Sequence, residues 1–205
     1  MSLWIKICGL TSRDAIDAAI NAGADAVGFV FAPSKRQVTA QRAAHLIGRE
    51  PVGVPRIAVM QHPAQSLLDE VWRVFRPDIL QTDLDDLDSL IVPEGLAVMP
   101  VLRAGRAIPA SLAPRLLFEG PMSGTGVAAD WNQAGQLATQ TQLVLAGGLT
   151  AGNVAAAIAQ VRPFGIDVSS GVEREPGIKD AGKISEFVRA ARSACASVEQ
   201  GRAQQ

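Results

Sequence analysis

The sequence is poor in the residues that mark several classes of protein. It has no tyrosine, 4% aromatic residues and only two cysteines among 205 residues. Cys8 and Cys195 lie near opposite ends of the chain, so they form neither a disulfide framework nor a metal-ligand spacing. Few aromatic residues and a formal net charge of −1 argue against a nucleic-acid surface. No segment resembles a signal peptide or reaches membrane-spanning length without polar breaks, so we expect a cytoplasmic protein with no nucleic-acid or membrane partner.

Short apolar segments alternate with amphipathic stretches along the whole chain. The predicted strands are Leu3–Cys8, Ala26–Phe31, Arg56–Met60, Asp78–Gln81, Ala97–Leu102, Arg115–Glu119, Gln142–Ala146 and Gly165–Ser169. Helices are predicted near 12–22, 39–49, 63–75, 131–139, 150–161 and 180–196, and the connections after Gln81 and Leu102 are less clear. This alternation is typical of parallel βαβ units.

Eight such units fit a closed (β/α)₈ barrel, and a doubly wound open sheet is the alternative. Polar residues and glycines recur at the C-terminal end of nearly every predicted strand, where barrel enzymes collect their chemistry, so the barrel is favoured. We therefore predict an α/β protein with one barrel domain over residues 1–197. A polar C-terminal tail, 198–205, is expected to be disordered.

Cys8 closes the first predicted strand, immediately before Gly9 and the start of a helix. Alternation places Trp4, Lys6 and Cys8 on the same face of that strand. A cysteine near a helix N-terminus can have its thiol pKa lowered from about 8.5, which would make it usable as a base. The alternative is a buried cysteine that behaves as a small hydrophobic residue.

Two loops rich in glycine and serine follow the last two predicted strands. Gly147 and Gly148 come after the seventh strand, and Ser169, Ser170 and Gly171 come after the eighth. Backbone N–H groups of such loops approach an anion closely, and the loops after strands seven and eight are the usual phosphate site of barrels. We expect phosphate to bind there, although a Gly-Gly pair alone is more often a simple turn.

Charged residues at other strand ends are candidates for the remaining chemistry. Asp167 is predicted to face inward with Lys6 as its partner, either as a structural ion pair or as a substrate contact. Glu119 ends the sixth strand and is a candidate general acid facing Cys8, or else a solvated glutamate. Arg36 could bind a carboxylate or phosphate, or be an ordinary loop arginine.

An acidic cluster follows the fourth strand and comprises Asp83, Asp85, Asp86 and Asp88. A solvated helix start explains it better than a metal site, because acidic residues favour a helix N-terminus. No metal is therefore expected. His45 and His62 lie in no hydrolase motif and are assigned no role.

Taken together, several segments resemble the phosphoribosylanthranilate isomerase family of tryptophan biosynthesis. They run in the family's order over about residues 3–193: Lys6-Ile7-Cys8-Gly9-Leu10-Thr11, Ala22 to Phe31, Ser34-Lys35-Arg36-Gln37-Val38, Gly124-Thr125-Gly126 with Asp130-Trp131, Ala146-Gly147-Gly148-Leu149 with Asn153-Val154, Gly165 to Glu173, and Pro176 to Asp180.

The resemblance implies a (β/α)₈ barrel that converts an aldosamine into an aminoketose by an Amadori rearrangement, with no metal or organic cofactor. It implies that Cys8 is the base, that Arg36 holds the anthranilate carboxylate, that Asp167 contacts the substrate and that the two loops hold the phosphate. The expected partner is a small phosphorylated aminosugar, and a monomer is the default expectation.

The chain departs from the family pattern around the acid. Glu119 stands where the family has aspartate, Gln81-Thr82-Asp83-Leu84 replaces the usual Gln-Leu-His-Gly, and Val127-Ala128-Ala129 lacks the usual lysine and phenylalanine. The extra methylene of Glu119 displaces its carboxyl by roughly 1 Å, which can cost on the order of 100-fold in rate if nothing compensates. A diverged paralogue that binds a related sugar phosphate, with different or no turnover, is therefore the alternative to a working isomerase.

Overall fold

The protein folds as a closed, all-parallel eight-stranded barrel. The structure, a computed structural model, describes residues 3–48, 53–121 and 130–203. Each strand pairs with the next along the chain, and the eighth pairs with the first. The strands are β1 (Trp4–Cys8), β2 (Ala26–Val30), β3 (Arg56–Val59), β4 (Ile79–Asp83), β5 (Ala97–Arg103), β6 (Arg115–Glu119), β7 (Gln142–Leu145) and β8 (Gly165–Val168). The predicted barrel is confirmed, and the open sheet is excluded.

Six α-helices lie in the described part of the chain: α1 (Arg13–Asn21), α2 (Ala40–Ile47), α3 (Gln65–Val74), α4 (Trp131–Ala138), α5 (Val154–Val161) and α6 (Ala181–Ala203). A 3-10 turn, Leu84–Asp88, replaces a helix between β4 and β5, and residues 104–114 before β6 contain no helix. These are the two connections that the sequence left unclear. Helix α6 runs into the segment 198–205, as far as Ala203.

The helix starts and the apolar layers follow from local sequence. Ser12 accepts a hydrogen bond from the Ala15 N–H, and Thr39 accepts one from the Arg42 N–H, so each side chain caps a helix N-terminus. Along the strands, one set of alternate residues packs against the helices and the other fills the barrel. The inner set comprises Ala26, Ile57, Met99, Val101, Leu117, Val144 and Ala146. Within the described ranges, no helix is long and apolar enough to cross a bilayer.

A small antiparallel hairpin follows β8 at the mouth of the barrel. Its strands are β9 (Glu173–Glu175) and β10 (Ile178–Lys179). The hairpin turn packs tightly on the loop after β2. The approach is so close that a Cβ added to Gly177 would lie 2.5 Å from the Lys35 carbonyl oxygen. The Thr11 hydroxyl donates to the Gly177 carbonyl oxygen at 3.0 Å. These contacts fix the hairpin against the loops after β1 and β2.

Candidate active site

A cavity of about 670 Å³ opens at the C-terminal ends of the strands. The predicted site residues that line it are Cys8, Arg36, Glu119, Gly147, Gly148, Asp167, Ser169 and Ser170. Gly171 is the one predicted site residue that does not line it. The fold thus gathers residues from six predicted positions or loops that are scattered along the sequence into one concave surface, as is usual for barrel enzymes.

Cys8 lies inside the barrel beside Lys6. A Cβ added to Gly28 would lie 3.1 Å from the Cys8 Sγ and 2.8 Å from the Lys6 Cε, so the two side chains meet over this glycine. Burial raises the pKa of the Cys8 thiol, and the Lys6 and Lys179 ammonium groups offset this only in part. The lowered thiol pKa expected at a helix N-terminus is therefore wrong. Helix α1 begins only at Arg13, and desolvation outweighs the nearby positive charges.

The predicted pairing of Lys6 with Asp167 is confirmed. The two residues are register partners on β1 and β8, and Lys6 Nζ lies 2.9 Å from Asp167 Oδ1. The side chains are 0% and 10% exposed. Burial lowers the pKa of Lys6, but the Asp167 carboxylate and Cys8 together outweigh burial, so the Lys6 pKa is raised and the side chain stays an ammonium group. Asp167 also lines the cavity, so it can contact a ligand as well as pair with Lys6.

Glu119 is joined to a second carboxylate through an arginine that the sequence analysis missed. Arg103 Nη1 lies 2.7 Å from Glu119 Oε1, and Arg103 Nη2 donates to Asp83 Oδ1 at 2.6 Å. The three side chains are only 10–13% exposed, so Glu119 is not a solvated strand-end residue. The alternation that places Met99 and Val101 inside the barrel also places Arg103 inside, and that periodicity is the signal that could have found it.

The acidic cluster at the end of β4 and in the turn that follows has two kinds of carboxylate: Asp85 and Asp88 are exposed, whereas Asp83 and Asp86 are buried. Asp86 accepts a hydrogen bond from the Thr82 hydroxyl at 2.5 Å and contacts His62 Nδ1 at 2.6 Å. A solvated helix start is thus wrong for the buried pair, because neighbouring groups hold both carboxylates. His62, Asp83 and Asp86 place ligand atoms within 4.8 Å of one another, but a cation there would have to displace Arg103 and the His62 contact.

The two loops predicted to bind phosphate lie side by side. Gly147 and Gly148 have φ values of 94° and 64°, and the Gly148 carbonyl oxygen accepts a hydrogen bond from Asn153 Nδ2 at 2.8 Å. A Cβ added to Gly171 would lie 1.9 Å from the Leu149 carbonyl oxygen. The two loops can contact each other only because Gly171 has no side chain.

Arg36 is held by Glu173, which is in turn held by Lys179, and the sequence analysis gave neither residue a separate role. Its Nε and Nη2 donate to the Glu173 carboxylate at 2.7 and 3.0 Å, and Lys179 Nζ donates to the same carboxylate at 2.8 Å. With a side chain only 12% exposed, Arg36 is not an ordinary loop arginine. The signal for this arrangement was the turn-forming pair Pro176-Gly177, which places Glu173 and Lys179 on facing strands of a hairpin.

The segment 122–129 lies outside the described residues. It contains Gly124-Thr125-Gly126 of the family pattern and the departure at Val127-Ala128-Ala129. Asp130, which follows, is described, and its carboxylate accepts hydrogen bonds from the Asn132 and Gln133 N–H groups at the start of α4.

The fold and the cavity define a (β/α)₈-barrel enzyme whose site lies at the C-terminal mouth. Comparison with known proteins identifies the family. The N-(5'-phosphoribosyl)anthranilate (PRA) isomerase family matches residues 5–190. N-(5'-phosphoribosyl)anthranilate isomerase of Streptococcus pneumoniae (strain JJA) is 39% identical over 187 residues, which cover 90% of this chain and 93% of the relative. The chain belongs to this family of isomerases, which act in tryptophan biosynthesis.

Solved structures agree with this membership. TrpF from Jonesia denitrificans is 33% identical, with a TM-score of 0.79 over 95% of this chain and 98% of that chain. A phosphoribosyl anthranilate isomerase in complex with reduced 1-(o-carboxyphenylamino)-1-deoxyribulose 5-phosphate is 29% identical, with a TM-score of 0.77 over 93% of this chain and 99% of that chain. The resemblance drawn from the sequence is confirmed.

Proposed function

We propose that this chain isomerises N-(5'-phosphoribosyl)anthranilate to 1-(2-carboxyphenylamino)-1-deoxyribulose 5-phosphate. The observation that carries the proposal is that one cavity is lined by the Cys8 thiol, the Glu119 and Asp167 carboxylates, the Arg36 guanidinium and the two loops at Gly147-Gly148 and Ser169-Ser170. Such a set matches a ligand with a phosphate at one end, a carboxylated aromatic ring at the other and an acid–base reaction between them. A related isomerase binds the reduced form of this product.

In the proposed reaction, Glu119 donates a proton to the ribose ring oxygen, and the bond between that oxygen and C1 breaks. The anthranilate nitrogen supplies the electron pair that forms the C1=N bond of a Schiff base. The Cys8 thiolate then removes the proton from C2, those electrons form the C1=C2 double bond, and the π pair of the C1=N bond returns to nitrogen, which gives an enolamine. Tautomerisation returns a proton to C1 and leaves the ketone at C2, so the reaction is a net isomerisation.

Arg103 positions Glu119 for the role of acid. Its guanidinium contacts two carboxylates, Glu119 at 2.7 Å and Asp83 at 2.6 Å, and the Glu119 side chain is only 11% exposed. The arrangement supports Glu119 as the acid, because it fixes the carboxyl group at the end of β6, where it lines the cavity.

The proposed substrate contacts divide between the two ends of the cavity. Gly147, Gly148, Ser169 and Ser170 would surround the phosphate, and Gly171 would hold their loops together. Arg36 would bind the anthranilate carboxylate with the N–H groups that Glu173 does not occupy.

Turnover by the purified protein tests the proposal. N-(5'-phosphoribosyl)anthranilate is generated in the assay, and loss of its fluorescence is followed. We expect turnover by the parent and by Cys195→Ser, and none by Cys8→Ser, although Cys8→Ser should still bind the reduced product analogue. A folded parent that binds this analogue without turnover would instead support the diverged paralogue. Near-normal turnover by Cys8→Ser would remove Cys8 from the role of base.

We further propose that the protein acts as a monomer in the cytoplasm. Among the described residues, only three large hydrophobic side chains are exposed, Ile91, Ile108 and Ile178, which is few for a face that would associate with a second copy. A base that must be a free thiol also suits a reducing compartment, and Cys8 forms no disulfide. Light scattering coupled to gel filtration should give about one chain mass, and a dimer mass would overturn the monomer.

A further inference from the structure

Arg36, the arginine proposed to bind the substrate carboxylate, donates two hydrogen bonds to a carboxylate of the protein itself. Arg36 donates from Nε and Nη2 to the two oxygens of Glu173, at 2.7 and 3.0 Å, which is the side-on bidentate arrangement. A guanidinium has five N–H bonds, so the end-on edge formed by Nη1 and Nη2 is left for another carboxylate. Arg36 lines the cavity, so a ligand there can reach this edge.

Glu173 is itself held by a second cation, Lys179. Lys179 Nζ donates to Glu173 Oε1 at 2.8 Å, and its other contacts are the Ser169 carbonyl oxygen at 3.0 Å and the Ser169 hydroxyl at 3.1 Å. The Lys179 side chain is fully buried and that of Glu173 is 5% exposed. Glu173 is therefore fixed between two cations and cannot follow Arg36 if that side chain moves.

The charges of this cluster suit an anionic ligand. Burial alone raises the pKa of Glu173, but the hydrogen bonds from Arg36 and Lys179 outweigh it and lower the pKa to about 2, so the carboxylate is ionised at neutral pH. The negative charge of Glu173 balances one of the two positive charges of Arg36 and Lys179, so the cluster of three side chains keeps a net charge of one positive unit. Without Lys179, Glu173 would neutralise Arg36 and remove its attraction for a carboxylate.

We infer that Glu173 is a positioning residue that holds Arg36 side-on, so that the end-on edge of the guanidinium selects substrates carrying a carboxylate at the aromatic end. Lys179 supplies a second positive charge, so the cluster of Arg36, Glu173 and Lys179 keeps a net positive charge for the ligand carboxylate. The inference rests on the proposed function, since it assumes that the substrate carboxylate binds Arg36. Arg36 lies on a loop and has a long, flexible stem, so fixing it before the ligand arrives lowers the entropy cost of binding.

Calorimetric titration with two ligands tests the inference. One ligand is reduced 1-(o-carboxyphenylamino)-1-deoxyribulose 5-phosphate, and the other is the same molecule without the ring carboxylate. For Glu173→Gln we expect about a tenfold loss of affinity for the first ligand, the size expected for losing one charged hydrogen bond, and at most about a threefold loss for the second. Glu186→Gln, an exposed position on α6, is the control and should change neither affinity.

Three other outcomes of these titrations would each overturn the inference in a different way. If Glu173→Gln loses the same affinity for both ligands, Glu173 has only a structural role. If Glu173→Gln binds the carboxylated ligand more tightly than the parent does, Glu173 competes with the substrate carboxylate for Arg36. Glu173→Asp keeps the charge but shortens the reach, so it provides the same comparison if Glu173→Gln does not fold. A parent protein that binds both ligands equally would refute the carboxylate role of Arg36, and the inference would fall with it.

Discussion

Replacing Lys6 by methionine isolates the energy of the buried ion pair at the floor of the cavity. Methionine has a similar length and volume, so the substitution removes the charge and keeps most of the packing. It leaves the Asp167 carboxylate, 10% exposed, without the ammonium group that now lies at 2.9 Å. Removing one partner of a buried pair costs about 3–5 kcal/mol, because the other charge stays desolvated.

Thermal and urea unfolding at pH 7 measure this cost. A loss of 3–5 kcal/mol lowers the unfolding temperature of a chain of this size by roughly 10 °C. The double variant Lys6→Met/Asp167→Asn removes both charges, so we expect it to recover more than half of the lost stability. The reasoning is refuted if Lys6→Met costs less than about 1 kcal/mol, or if the double variant is no more stable than the single one.

The pH dependence of the same pair has a definite sign. The folded-state pKa of Lys6 is raised above its ordinary value of 10.5, so the pair stabilises the fold fully below pH 10.5. That contribution is lost as the pH rises through the folded-state pKa. The contribution of Lys6 to the stability difference between the parent and the double variant should therefore stay constant across neutral pH and be lost under strongly alkaline conditions.

Three further outcomes are expected at the site. Because burial raises the pKa of the Cys8 thiol above its ordinary value of 9.0, kcat/KM should keep rising with pH beyond neutrality, and a plateau reached by pH 7 would contradict a buried thiolate base. Glu119→Gln should lower kcat by about 100-fold or more, whereas Glu119→Asp should retain activity; a fully active Gln variant would move the acid to Asp83. Gly171→Ala would bring its Cβ to 1.9 Å from the facing loop, so it should weaken competition by inorganic phosphate in the turnover assay, while Gly135→Ala, whose nearest contact would be 3.7 Å, should not.

Much of the fold could be read from local patterns. The strands predicted from apolar periodicity match the barrel to within one or two residues at their ends, because a period of two along a segment is set by neighbouring residues alone. The same periodicity placed Lys6 and Asp167 inside the barrel, and the parallel direction of the strands placed the polar strand ends at one mouth. Motifs of a few adjacent residues were enough to indicate the isomerase family, because each motif is a local pattern.

Properties that depend on neighbours far along the chain could not be read in this way. Arg36 and Glu173 are 137 positions apart, and nothing in either local segment specifies that their charged groups meet. Arg103 became a bridge between Asp83 and Glu119 only when three strand ends were brought together, and the Cys8 pKa rose because packing removed water from the thiol. Local sequence sets which face a side chain takes, whereas desolvation and Coulomb interactions depend on distances through space, which exist only once the barrel closes.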